Sequence, residues 1–207
     1  MKYPLAIIAT PRTGTNVYGS KMSQEYGLQY FSEPTLFLHN PNCSPKNILQ
    51  FERLKEYVSK GIKQFVLRIM GYQYFDTPIF QNIFEDNNCY KIKMIRKNQL
   101  EQIASFYIAK QRDVWWSGQE YASQFDVDIN KQIIKDIIND INIQKQTLDD
   151  LNLQYDEVIS YEKMVTTLSP GLGFDKQLKP NNYADLLKEI EKQLWEGYRC
   201  LQVRILN

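Results

Sequence analysis

Leu5-Ala6-Ile7-Ile8-Ala9-Thr10-Pro11-Arg12-Thr13-Gly14-Thr15-Asn16 is the stretch on which the fold turns. The apolar run Leu5 to Ala9 is too short for a signal-peptide core and reads as a buried strand. A turn follows at once, and Val17 to Tyr26 carries a helical pattern. Strand, tight turn and helix in succession leave unpaired backbone N–H groups and the positive end of the helix dipole at the turn. Gly14 lets the backbone close there, which suits a phosphate. Thr13, Thr15 and Asn16 add side-chain donors, and Arg12 adds a fixed positive charge. Thr and Asn are also good N-caps, so these residues alone read equally well as a capped turn.

The same alternation continues along the chain. Leu28 to Ser32, Gln64 to Met70, Tyr90 to Ile95 and Glu157 to Ser160 read as strands. Helical patterns cover Asn47 to Ser59, Thr77 to Phe84 and Gln99 to Gln111, with Pro41 to Pro45 as loop. This predicts an α/β fold, a parallel β-sheet flanked by helices on both faces. A helical segment at about 128–152 carries Ile129, Ile133, Ile134, Ile137, Ile138 and Ile141 at helical spacing. Such a stripe normally packs on its own domain, and a partner-binding or homodimer face is the rarer alternative. Leu168 to Asn182 reads as loop, and a helix at about 183–199 closes a single domain spanning 1–207.

Composition removes several function classes. Lysine plus arginine exceeds aspartate plus glutamate by one, so no global field favours nucleic acid or an anionic membrane, and an anion site must be local. Cys43, Cys89 and Cys200 are widely spaced and the single histidine is His39, so no structural zinc site is expected. That cysteine usage fits a reduced, cytoplasmic setting, and no apolar run is long enough to span a bilayer. The Walker pattern GxxxxGK[ST] is missing, because Arg12 precedes the glycine and no lysine follows it. A Mg²⁺-dependent ATPase or GTPase is disfavoured on that ground.

The fourth strand ends in Arg96-Lys97, and Ser105 with Tyr107 lies on the helix after it. Cations at the C-terminal end of a parallel strand stand where open α/β sheets bind ligands. Ser105, about two turns into the helix, can face the same crevice; a solvated Arg-Lys pair beside an incidental serine is the plainer alternative.

The combination resembles the PAPS-dependent sulfotransferases, which use 3′-phosphoadenosine 5′-phosphosulfate as donor. Pro11-Arg12-Thr13-Gly14-Thr15 is similar to their 5′-phosphosulfate loop. Lys97 to Tyr107 looks like their 3′-phosphate site, an arginine followed by a serine eight positions later. Arg12 and the run from Glu101 to Trp116 look closest to a bacterial branch of the family. Val158-Ile159-Ser160-Tyr161-Glu162 resembles the late strand and its Tyr-Glu turn. The resemblance covers roughly residues 4 to 165 and implies a P-loop NTPase-like sulfotransferase fold. Lys97 stands where the family has arginine, so either Arg96 or Lys97 holds the 3′-phosphate. Lys176 and Lys179 are candidates for the C-terminal part of that site.

What the resemblance implies is sulfuryl transfer from PAPS, releasing PAP, to an acceptor hydroxyl on a carbohydrate, small molecule, lipid-linked sugar or protein tyrosine. Arg12 and the loop amides would stabilise charge on the transferring group, with no metal required. Glu33, just after the second strand, would act as general base, since the similar bacterial enzymes carry a glutamate at a comparable place. The second strand is expected beside the first. His39 is the rival base. Arg68, Trp115 and Trp116 are candidates for the acceptor side, with strand-end exposure and core packing as their plainer readings. A P-loop-like small-metabolite kinase and a non-catalytic nucleotide-binding protein are the competing functions.

Overall fold

Leu5–Ala9 forms the central strand, β1, of a five-stranded sheet in the computed structural model, which describes residues 2–40, 43–112, 125–168 and 179–205. The other strands are β2 (Gln29–Ser32), β3 (Phe65–Met70), β4 (Tyr90–Ile95) and β5 (Glu157–Ser160). Their order is β2-β3-β1-β4-β5, and every pairing is parallel. Side chains alternate across the sheet as period two requires. Ala6, Ile8, Leu67 and Ile69 join one buried cluster, and Leu5, Ile7, Val66 and Met94 join another.

Helices cover both clusters, as the alternating pattern predicts. Leu54 of α2 (Pro45–Ser59) and Phe80 of α3 (Pro78–Glu85) fill the first. Tyr18 of α1 (Thr15–Tyr26) fills the second. α2 and α3 start on the same device: Ser44 accepts from the Lys46 N–H, Thr77 accepts from the Ile79 N–H, and proline follows each. The cap satisfies an orphan donor, and proline costs nothing at the first helical position. Pro45, expected in a loop, therefore opens a helix.

The isoleucine stripe belongs to α5 (Lys131–Asp150). Ile134, Ile137 and Ile141 are wholly buried in a third cluster with α4 (Gln99–Arg112) and α7 (Tyr183–Ile205). The chain's own helices thus cover that stripe. α6 (Tyr161–Leu168) directly follows β5, and 3₁₀ turns span Leu36–Leu38 and Gly71–Phe75; none of the three stands out in the sequence pattern. Among the described residues, no helix is long and apolar enough to cross a membrane.

One expectation about topology is wrong. β2 pairs with β3, and β3 separates it from β1. The end of β2 therefore meets the phosphate-type turn through side chains: Arg68 of β3 bridges Ser32 to Thr15, and Tyr30 and Ser32 donate to Asn16.

Candidate functional site

The turn between β1 and α1 is held in an unusual backbone. Arg12 has φ 63° and Gly14 has φ 74°. Left-handed conformation is ordinary for glycine and costs a branched or long residue about 1–2 kcal/mol. A Cβ on Gly14 would lie 2.5 Å from the Met164 methyl and 2.9 Å from the Tyr161 ring, so only glycine fits between the turn and α6. The Thr13 hydroxyl closes the turn by donating to the Thr10 carbonyl at 2.9 Å and is fully buried. It is a structural clasp, and its donor is already used. The N-cap of α1 is Gly14, with no side-chain cap, so neither Thr nor Asn holds the cap position that the plainer reading of this turn requires. Its first N–H groups keep the partner requirement of any helix start.

Two further elements converge on this turn. Arg12 Nε donates to Ser105 Oγ at 3.0 Å, joining it to α4. Arg96, just past β4, donates from Nη1 to the Arg12 carbonyl at 3.1 Å, and its guanidinium stacks on Tyr161 with 4.3 Å to the ring centroid. Arg96 Nε is buried and finds no hydrogen-bond partner among the described residues. A buried donor without a partner is costly and points to a group that would complete it. Of the two cations considered for the second anchor, Arg96 touches the turn. Lys97 is exposed, and its backbone N–H instead donates to Glu162.

Glu162 is the strut under this second anchor. Its carboxylate accepts from the N–H groups of Lys97 at 3.1 Å and Asn98 at 3.0 Å, at the threshold of α4. Burial pushes its carboxyl up, but those backbone bonds and the Arg96 charge outweigh burial and hold it below the usual range. A folded-state carboxyl held below its unfolded value stabilises above the unfolded pKa of about 4.3, and the stabilisation is lost as pH falls through the lowered value. Glu162→Gln is therefore expected to cost about 1 kcal/mol at pH 7. The gap from wild type should narrow in melts below about pH 4. A gap that persists unchanged at low pH would remove the charge from the account.

Gln102 is a residue the sequence reading missed. Fully buried on α4, it donates from Nε2 to Thr10 Oγ1 at 2.9 Å and to the Pro11 carbonyl at 2.7 Å. It lies three residues before Ser105, hence on the same helix face, which is the one signal that pointed to it.

On the other side of the turn stands Arg68, only 5% exposed. It donates from Nε to Thr15 Oγ1 at 2.8 Å and from Nη1 to Ser32 Oγ at 3.0 Å, and it forms an ion pair with Glu33. Asn16 Oδ1 accepts from the hydroxyls of Tyr30 and Ser32. Glu33 also has positive φ, 46°, so both residues expected to carry the chemistry sit in strained backbone. Strain of this kind, costing about 1–3 kcal/mol, gathers at functional sites.

Beyond Glu33, His39 Nε2 lies 2.8 Å and 2.9 Å from the two carboxylate oxygens of Asp76. The His39 ring meets Tyr72 edge-on at 4.7 Å. Burial pushes the Tyr72 phenol up; Glu33 and Asp76 add to the push and Arg68 opposes it. Tyr72 thus lies within electrostatic reach of both pairs. Lys179 sits 3.6 Å from Glu101 and stacks on Tyr183. Trp115, Trp116 and Lys176 lie outside the described residues. The Arg12–Ser105–Arg96 group and the Arg68–Glu33 group therefore flank one turn at the C-terminal ends of the strands. In comparison with known proteins, no family model matches this chain and no curated protein matches it.

Proposed function

We propose that this chain is a PAPS-dependent sulfotransferase on a P-loop-like sulfotransferase fold, moving a sulfuryl group to the hydroxyl of a carbohydrate or small-molecule acceptor. The observation that carries the reading is the meeting of Arg12, Arg96 and Ser105 at a helix start without a side-chain cap. Two guanidinium groups, a helix start and a hydroxyl at the C-terminal edge of a parallel sheet suit a ligand with two separate anionic groups. The resemblance of the β1 turn, the second anchor and the Tyr-Glu turn supplies the identity of that ligand. The residues fit it in one further respect, since the buried Arg96 Nε still needs an acceptor.

In this reading the amides at the start of α1 and the Arg12 guanidinium bind the phosphosulfate and stabilise the charge that develops on it. Arg96 and Ser105 bind the 3′-phosphate. Thr13 and Gln102 hold the turn in shape. Glu33 and His39 are the two bases beyond Arg68, on the acceptor side.

Melting with PAP tests the reading without knowing the acceptor. At 100 times its Kd, a ligand of the native state adds about 2.7 kcal/mol. For a domain of this size that is roughly 5–10 °C. The shift is expected with PAP and not with ATP and Mg²⁺. A shift with ATP and Mg²⁺ alone would favour the small-metabolite kinase, and no shift with either would remove the nucleotide site.

A further inference from the structure

We infer that Gln102 is a positioning residue that sets the distance between the two anion sites, and so selects a nucleotide with two separate anionic groups over one with a single group. The inference rests on the sulfuryl-transfer reading above, of which it names a selective element. Gln102 gives both hydrogens of one amide nitrogen to the turn, at 2.9 Å to Thr10 Oγ1 and 2.7 Å to the Pro11 carbonyl. A carbonyl can only accept, so the nitrogen must be the atom that faces it. Gln102 is wholly buried, and its Oε1 finds no partner among the described residues. A buried acceptor left unmatched costs stability, and an apolar residue of similar size would not incur that cost. What the amide supplies instead is a fixed place for the turn relative to α4.

That place matters because the turn is under strain. Arg12 keeps φ 63°, and a strained backbone persists only where its surroundings over-determine it. The two residues that Gln102 holds come directly before Arg12. Arg12 and Arg96 also join the turn to the second anchor, through Ser105 Oγ and the Arg12 carbonyl. Both are long side chains with several rotatable bonds, and in the sulfuryl-transfer reading both guanidinium groups bind the ligand. Gln102 is shorter, sealed from solvent and without that duty.

Gln102 and Ser105 lie three residues apart on one face of α4, about 4.5 Å along the helix axis. Ser105 belongs to one anion site and the residues after Pro11 to the other, so the Gln102 amide joins the two sites within a single helical turn. A ligand that carries both anions on one rigid frame gains from the second contact only when the spacing of the sites matches its own. A misplacement of about 1 Å is enough to forfeit much of that gain. A ligand with one anion uses one site and is indifferent to the spacing.

Titration calorimetry with PAP, and with adenosine 5′-phosphate and adenosine 3′-phosphate in competition against it, measures this selection. The wild type is expected to prefer PAP to each single phosphate by about 10²-fold or more. Gln102→Met fills much of the same space without the amide and should weaken PAP by about tenfold or more. The two single phosphates should change by less than about threefold, because neither spans the sites. Thr10→Val removes one of the two acceptors with the side-chain shape kept, and should lower the preference for PAP by about threefold. Thr10→Val decides the matter alone if Gln102→Met does not fold. Equal weakening of all three ligands, or an unchanged affinity for PAP, overturns the assignment of Gln102. A wild type that binds PAP no more tightly than the single phosphates overturns the sulfuryl-transfer reading instead.

Discussion

Replacing Arg12 by alanine is expected to lower PAP release in the proposed sulfuryl transfer by about 10²-fold or more, the cost of losing one preorganised donor to developing charge. Arg12 reaches the turn from a left-handed backbone and is tied to α4 through Ser105. Its guanidinium is therefore positioned before any ligand arrives, and no reorganisation is needed as charge builds. A second substitution separates this role from a structural one. Glycine is at ease at φ 63°, so Arg12→Gly relieves about 1–2 kcal/mol of backbone strain. It also gives back part of that in unfolded-state entropy and in the lost side-chain contacts of Arg12, the Ser105 bond among them. The expected result is a melting temperature close to that of the wild type with a turnover as poor as that of Arg12→Ala. A residue kept in strained backbone at no benefit to stability is one whose value lies in function. Turnover unchanged in either variant would take Arg12 out of the chemistry.

The sheet and its helices were readable because each element carries its own local signal. Leu5–Ala9 is apolar throughout, as a strand buried on both faces must be, and β4 and β5 fall where the pattern put them. Strand order has no such signal. Whether β2 lies beside β1 or β3 depends on crossovers that the sequence states nowhere, and the expectation of β1 failed for that reason. The site divides the same way. Gly14, Arg12 and Ser105 announce themselves by their places after a strand and on the next helix. Arg68 does not. Inside Phe65-Val66-Leu67-Arg68-Ile69-Met70 it reads as a charge at a strand end, yet every residue of that strand is buried. A buried arginine requires a carboxylate, and the one it has comes from 35 positions earlier, across a strand boundary. Asp76 was missed, because its partner His39 follows a 3₁₀ turn with no periodic pattern.

Arg68→Met should be among the most destabilising substitutions outside the apolar core. Methionine is apolar and of similar reach, so it fills much of the vacated space. What it cannot replace is the charge. Glu33, only 15% exposed, loses its counter-charge, and Thr15 and Ser32 lose the donor that joined them. Removing one member of a buried pair costs about 3–5 kcal/mol, because the other is left uncompensated. At roughly 2–4 °C per kcal/mol for a chain of this size, the melting temperature should fall by roughly 6–20 °C. The double variant Arg68→Met/Glu33→Gln removes the stranded charge and should regain part of the loss, with a coupling of about 0.5–3 kcal/mol. The functional consequence follows from the same contacts. Arg68 is one link between the end of β2 and the start of α1, beside the bonds of Tyr30 and Ser32 to Asn16, so its loss should reduce the stabilisation by PAP even where the protein remains folded. Partial recovery of stability in the double variant without recovery of the PAP shift is the expected signature, since Glu33→Gln relieves the charge but restores no bond to Thr15. A fall of less than about 2 °C in the single variant would mean that water already screens the pair. Glu33 would then be free to act as a base in the proposed reaction and not as the counter-charge of Arg68.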